Sequence, residues 1–150
     1  MKKIKLSRNK YTVVDDEDYE KLIKYNWCLS VQGYAVNSKN NLLMHRFILN
    51  LTKDDGNITD HINRNKLDNR KSNLRLCNRT KNAFNSSRHV DSVSNYKGVC
   101  WEKQTNKWKA QICIDGKVKN LGRYVLEELA ALAYDIAATK YHKEFASFNF

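Results

Sequence analysis

The sequence predicts an α+β protein made of two small modules, and three observations carry that reading. Lys107–Ile114 alternates with period two, placing Trp108, Ala110, Ile112 and Ile114 on one face, and Asp115-Gly116 then turns the chain into Lys117–Leu121. Leu129, Leu132, Ala133, Ile136 and Ala137 recur at helical spacing within Glu127–His142. Residues 87–95 are polar and aperiodic, and read as a connection. The expected organisation is therefore a first module at 1–86, a linker at 87–94 and a β-β-β-α module at 95–150. The 150 residues, 41% of them hydrophobic, suffice to bury a core in each.

The first module reads as short strands around one helix. Ile4–Leu6 and Tyr11–Val14 are strand-like and flank the turn-prone Ser7-Arg8-Asn9. Asp15 and Asp16 precede Tyr19, Leu22, Ile23 and Trp27, a helical spacing, and the acidic run Asp15–Glu20 suits a solvated helix start. Two further strands are expected at Trp27–Val31 and Gly33–Asn37, then a buried helix or strand within Leu42–Leu51 that contains His45. Leu74–Cys77 can pair with Ile58–His61, and Asn78 can cap a helix running to about Ser86. In the second module, Ala130, Ala133 and Ala137 allow the helix to lie close to the sheet, with Trp101, Trp108 and Tyr134 packing beneath it.

Charge narrows the function classes. The chain carries 27 Lys+Arg against 16 Asp+Glu, a formal net charge of +11. Eight bases (Arg64, Lys66, Arg70, Lys71, Arg75, Arg79, Lys81 and Arg88) and one acid, Asp68, fall between His61 and Val90. Such clustering favours a nucleic-acid surface over compositional drift. No apolar run approaches the ~20 residues of a membrane span, so a soluble intracellular protein without a membrane partner is expected. The four cysteines, Cys28, Cys77, Cys100 and Cys113, include no C-x-x-C pair. They read as buried or half-buried thiols, with no structural zinc.

The chemistry gathers between Thr59 and Asn82. Asp60 and Asn82 offer hard oxygen ligands suited to one divalent cation that keeps several waters, Mg²⁺ before Mn²⁺. His61 could take a proton from water attacking phosphorus, while the cation stabilises the leaving 3′ oxygen. Asn73 could hydrogen-bond His61 and fix its tautomer. Asp60 and His61 are neighbours on a strand and would point to opposite faces unless the backbone is irregular there. His89 and His142 lie in polar contexts and suggest no function.

Asp60-His61, Asn73-Leu74-Arg75 and Asn82, preceded by Met44-His45-Arg46, resemble the HNH nucleases and their ββα-metal site, in particular homing endonucleases of the phage type. That resemblance implies His61 as general base, Asn73 as the residue orienting it, Asp60 and Asn82 as metal ligands, and His45 as active-site support. The third motif position is Asn82, where many relatives have His. Tyr96-Lys97-Gly98-Val99, Lys107–Ile112, Asn120-Leu121-Gly122, Ala131–Ala138 and Phe148-Asn149-Phe150 resemble the AP2 DNA-binding domain, whose sheet enters the major groove. It implies a DNA-facing surface of Lys97, Lys103, Lys107, Lys109, Gln111 and Asn120. Cys100, Cys113 and Asn120 stand where plant members present Arg or Trp. Arg75, Arg79 and Lys81 are expected on phosphates.

The function expected is hydrolysis of double-stranded DNA to 5′-phosphate and 3′-hydroxyl ends, in the cytoplasm of a bacterial or phage-infected cell, with no protein partner. A non-catalytic DNA-binding protein and an RNA-binding module are the alternatives.

Overall fold

The computed structural model describes residues 1–52, 56–86 and 93–150. The chain divides into two compact units, Met1–Asn78 and Arg79–Phe150, so the division precedes the expected boundary at residue 86. Most of the expected linker, and His89 with it, lies outside the described residues. Its last residue, Ser94, is buried and donates to Glu127 Oε1 at 2.7 Å, so the second unit begins before residue 95.

Three antiparallel two-stranded ribbons and two helices build the first unit. β1 (Lys2–Lys5) pairs with β2 (Tyr11–Val14) across a turn in which Arg8 and Asn9 take left-handed φ of 57° and 53°. α1 (Asp16–Leu22) follows. Its acidic start is only partly solvated: Asp18 is buried, and its Oδ2 lies 3.2 Å from Lys71 Nζ. β3 (Trp27–Leu29) pairs with β4 (Ala35–Asn37), both shorter than expected because Tyr34 and Gly33 bond back to Ser30 in the connecting turn. α2 (Met44–Ile48) carries His45. β5 (Ile58–His61) pairs with β6 (Leu74–Cys77) in the expected register, preceded by a 3₁₀ turn at Lys71–Asn73. Ile4, Leu6, Val14, Leu22, Trp27, Met44, Ile48 and Leu74 form the core, whereas Ile23, read as part of the apolar helix face, is exposed after α1 ends.

The second unit opens with α3 (Arg79–Phe84). Phe84 stacks on His142 at 3.7 Å between ring centroids, Lys81 Nζ lies 5.1 Å from the Phe145 ring centre, and Lys97 Nζ donates to the carbonyls of Phe84 and Ser86. These contacts tie α3 to the sheet-and-helix body that follows. β7 (Val99–Glu102), β8 (Lys107–Ile114) and β9 (Lys117–Tyr124) form an antiparallel sheet in that order. Asp115 and Gly116, at φ 48° and 78°, make the tight turn between β8 and β9.

α4 (Glu127–Tyr141) packs on the sheet through Ala130, Ala131, Tyr134, Ala137 and Ala138. Leu129, Leu132 and Ile136, expected in the core, are 47, 49 and 66% exposed. Small residues win the inner face because they let the helix axis approach the sheet, so the longer aliphatics are left outside. Trp108 joins this core; Trp101 contacts it edge-on and stays 39% exposed, against expectation. Cys113 is exposed on the outer face of β8, so the burial expected of all four thiols fails there, while Cys77 is buried and Cys28 and Cys100 half-buried.

One close approach fixes where α4 lies. Gly98 has φ +75°, and a Cβ there would meet Tyr134 Cδ2 at 2.1 Å and the Gln111 carbonyl at 2.7 Å. Gly98→Ala is expected to cost about 3 kcal/mol or more in chemical denaturation of the second unit. Gly116→Ala, with φ +78° but open space around it, should cost only about 1 kcal/mol.

Candidate active site

The site in the first unit starts from a loop tied to a strand. Residues 67–69 lie alongside β2: Val13 N donates to Leu67 O and Asn69 N to Val13 O, each at 2.8 Å. Thr12, fully buried on β2, donates from its hydroxyl to Leu67 O at 2.8 Å. Since a carbonyl can only accept, the hydroxyl proton is committed there, and Thr12 Oγ1 is the acceptor for Asn69 Nδ2 at 2.7 Å. Asn69 therefore turns Oδ1 toward His61 Nε2, 3.2 Å away. This chain of donors presents Asn69 Oδ1 as an acceptor, which matches the His61 tautomer carrying its proton on Nε2.

Asn69, rather than Asn73, orients His61. Asn73 Oδ1 accepts from Asn63 N at 2.9 Å and its Nδ2 donates to Asp68 O at 2.7 Å. Asn73 thus clamps the 62–69 loop at both ends and acts on His61 through that loop. The bond to His61 expected of Asn73 is made by Asn69, which lies on the loop that Asn73 braces. Asp68 is buried and held by Asn63 Nδ2 at 2.8 Å and by Arg70. Hydrogen bonds from Arg70 hold its carboxyl below the usual carboxylate range.

His61 also sits in an aromatic corner. Its ring is 5.2 Å from that of His45 and 6.0 Å from that of Tyr34, centroid to centroid, and Tyr34 and His45 are 5.4 Å apart. The residue before β4, together with α2 and β5, supplies this corner, so the buried His45 is a neighbour of the site. Burial pushes His61 below its ordinary pKa, outweighing the Asn69 hydrogen bond and the nearby Asp60 and Asp68 charges. The same burial, with the His61 and Arg46 charges, takes His45 to about 3. Both imidazoles are neutral near pH 7.

Asp60 is the next residue back along β5, opposite Arg75 on β6. Arg75 Nε and Nη2 reach Asp60 Oδ2 at 2.8 and 2.6 Å. Arg75, expected on phosphate, instead has its guanidinium on this carboxylate. Register through Ile58–His61 is regular, so the irregularity considered for Asp60 and His61 is absent and the two alternate along the strand; the chain leaves the ribbon only after His61, where Ile62 N donates to Asn73 O and Arg64 takes φ 62°.

Arg79, Lys81 and Asn82 are exposed on α3 of the second unit. Lys103, in the turn between β7 and β8, and Lys107 are exposed, and Lys109 and Gln111 on β8 are half-buried. Asn120 is exposed, with Oδ1 accepting from Gly122 N. Lys97 differs from its expected role, since its ammonium serves the α3 carbonyls. Sequence reasoning missed Thr12, Tyr34, Asp68 and Asn69; for Asn69 the available signal was an amide in a polar loop between two paired strands.

No family model matches the chain. An uncharacterized HNH endonuclease of Acanthamoeba polyphaga mimivirus is 37% identical over 132 residues, covering 84% of this chain and 67% of that protein. The chain belongs to the HNH endonuclease family. Protein 3.8 of Escherichia phage T7 is 31% identical over 94 residues, 63% of this chain and 77% of that protein. An AP2-like ethylene-responsive transcription factor of Arabidopsis thaliana is 40% identical over 67 residues, 43% of this chain but 19% of that one.

HNH nucleases use a divalent metal, so the donor set of this HNH protein can be tested for fit. Among the described residues no three His, Cys, Asp or Glu side chains gather as a metal cage. The donors that fit are harder and fewer: the buried Asp60 carboxylate already holds one positive charge on Oδ2. A single carboxylate with an amide oxygen suits a cation that keeps most of its water.

Two stability outcomes follow. Thr12→Val should cost about 1–3 kcal/mol in denaturant titration, because Asn69 and Leu67 lose buried partners, and Thr12→Ser should recover most of it. His45 is neutral when folded but protonates below about 6.5 when unfolded. Stability of the first unit should therefore be undiminished above that pH and fall as pH drops toward 3, on the order of 4 kcal/mol in total. Hydrogen exchange across pH 7 to 4 measures it, and His45→Phe should flatten the slope.

Proposed function

We propose that this HNH protein is a metal-dependent endonuclease acting on double-stranded DNA, with His61 as general base. The observation that carries the reading is a buried imidazole whose Nε2 lies 3.2 Å from Asn69 Oδ1, one residue from the buried Asp60 carboxylate. Family membership supports the reaction class. In this reading His61 Nδ1 takes a proton from a water whose oxygen bonds to phosphorus as the bond to O3′ breaks, giving 5′-phosphate and 3′-hydroxyl ends. Asp60 and Asn82 would hold one Mg²⁺ or Mn²⁺, which when bound neutralises charge on the phosphate and the departing O3′. Asn73 keeps the loop that carries Asn69 in place, and His45 and Tyr34 exclude water from one side of the ring.

The second unit is proposed as an AP2-like DNA-reading module. The three-stranded sheet under one helix and the similarity to an AP2-like factor favour this assignment. Lys103, Lys107, Lys109, Gln111 and Asn120 would face DNA, and Arg79 and Lys81 its phosphates. A homing role, inside a bacterial or infected cell, is in keeping with viral and phage relatives. Among the described residues no helix is long and apolar enough to cross a membrane. One such site cuts one strand per event.

Nicking of supercoiled plasmid in Mg²⁺ or Mn²⁺ tests the reading. His61→Ala is expected to lower the rate by about 100-fold or more. Absence of nicking by the parent protein, or equal nicking by His61→Ala, leaves a DNA-binding protein without catalysis. Stronger displacement by structured RNA than by duplex DNA would move the substrate to RNA.

A further inference from the structure

Lys66 stands at the rim of the His61 corner, and the chain on either side of it is fixed by side-chain-to-backbone turns. Asn63 Oδ1 accepts from Asn65 N at 2.8 Å, and Asn65 Oδ1 from Leu67 N at 3.1 Å. The exposed ammonium donates to the Gln32 carbonyl at 2.9 Å and lies 4.6 Å from the centre of the Tyr34 ring. Gly33 passes beside the stem, where a Cβ would come within 3.8 Å of Lys66 Cδ. Tyr34 is the same ring that stands 6.0 Å from His61, and the Lys66 charge is near enough to His61 to oppose protonation of the imidazole. A free lysine stem gives up as much as about 2 kcal/mol of rotamer freedom when it is ordered. Here the fold has already ordered it.

We infer that Lys66 is a catalytic residue of the proposed reaction, donating to a non-bridging oxygen of the phosphate under attack. The inference rests on the reading of His61 as general base. An ammonium has three donors, of which one meets Gln32, so donors remain for an anion. The carbonyl and the aromatic face fix its position without neutralising it, because both are uncharged, whereas the guanidiniums of Arg70 and Arg75 meet carboxylates. The spacing suits such a contact. Base to water, water to phosphorus and phosphoryl oxygen to ammonium are successive steps of about 3 Å each, and the Tyr34 ring separates the two groups on that scale. As the water oxygen bonds to phosphorus, negative charge grows on the non-bridging oxygens. A cation held there in advance stabilises that charge more than it stabilises the bound ground state. His61 takes the proton and O3′ departs, and Lys66 exchanges no proton.

The test is nicking of supercoiled plasmid in single turnover, with the full-length protein in excess over DNA, so that the rate at saturation is read apart from the protein concentration that half-saturates it. Lys66→Gln is expected to lower the saturated rate by about tenfold or more and to move half-saturation by less than about threefold, because the contact strengthens in the transition state. Lys66→Arg keeps a cation on a long stem and should return the rate to within about threefold of the parent. Lys24→Gln removes an exposed charge just beyond α1 and should nick at the parental rate. Lys66→Met, which keeps the stem beside Gly33 and Tyr34, carries the test if the glutamine variant fails to fold. A parental rate in Lys66→Gln, a loss confined to half-saturation, or a loss that Lys66→Arg shares in full each overturns the inference while His61→Ala stays inactive. Equal nicking by the parent and His61→Ala overturns the general-base reading and the inference with it.

Discussion

The Asn69 side chain holds the first unit's chemistry together, because one amide joins a strand to the imidazole. Its nitrogen reaches Thr12 on β2 and its oxygen reaches His61 on β5, while its backbone N–H bonds Val13. A side-chain amide can donate in one direction and accept in the other with a fixed angle between them. The directionality begins at the Leu67 carbonyl, which accepts the Thr12 proton at 2.8 Å, and is passed through Thr12 Oγ1 to the Asn69 amide. The loop returns at Asn73, whose two bonds brace the turn that follows His61. Burial makes each of these bonds costly to lose and thereby makes the geometry specific.

Two charge strategies stand side by side in this unit. His45 and His61 are kept neutral by desolvation, in a corner shared with Tyr34. The carboxylates instead have cationic partners: Asp68 pairs with Arg70, and Asp60 with Arg75. A basic cluster read as phosphate contacts is thus divided between internal compensation and exposed charge such as Arg79. Net charge alone cannot make that distinction, because it does not register which guanidinium finds a carboxylate across a ribbon.

Much of the fold was legible, and the failures have physical causes. The β5–β6 and β8 boundaries matched because strong alternation and turn chemistry coincide there. α4 was correctly located but its inner face misassigned, since helical spacing of Leu129, Leu132 and Ile136 is equally compatible with an outward stripe, and only close packing selects the alanines. Asp60 and His61 could be singled out by type and order. Asn69 could not, because its importance comes from Thr12, 57 positions away in sequence. Asp18 escaped for the same reason, its compensating charge being Lys71.

α3 belongs with the residues that follow it, through the Phe84–His142 stack and the Lys97 contacts. Asn82 consequently travels with the sheet-bearing half of the gene rather than with Asp60 and His61. A crossover at the compact-unit border would therefore separate Asn82 from Asp60 and His61, whereas one falling beyond α3 would keep the three together.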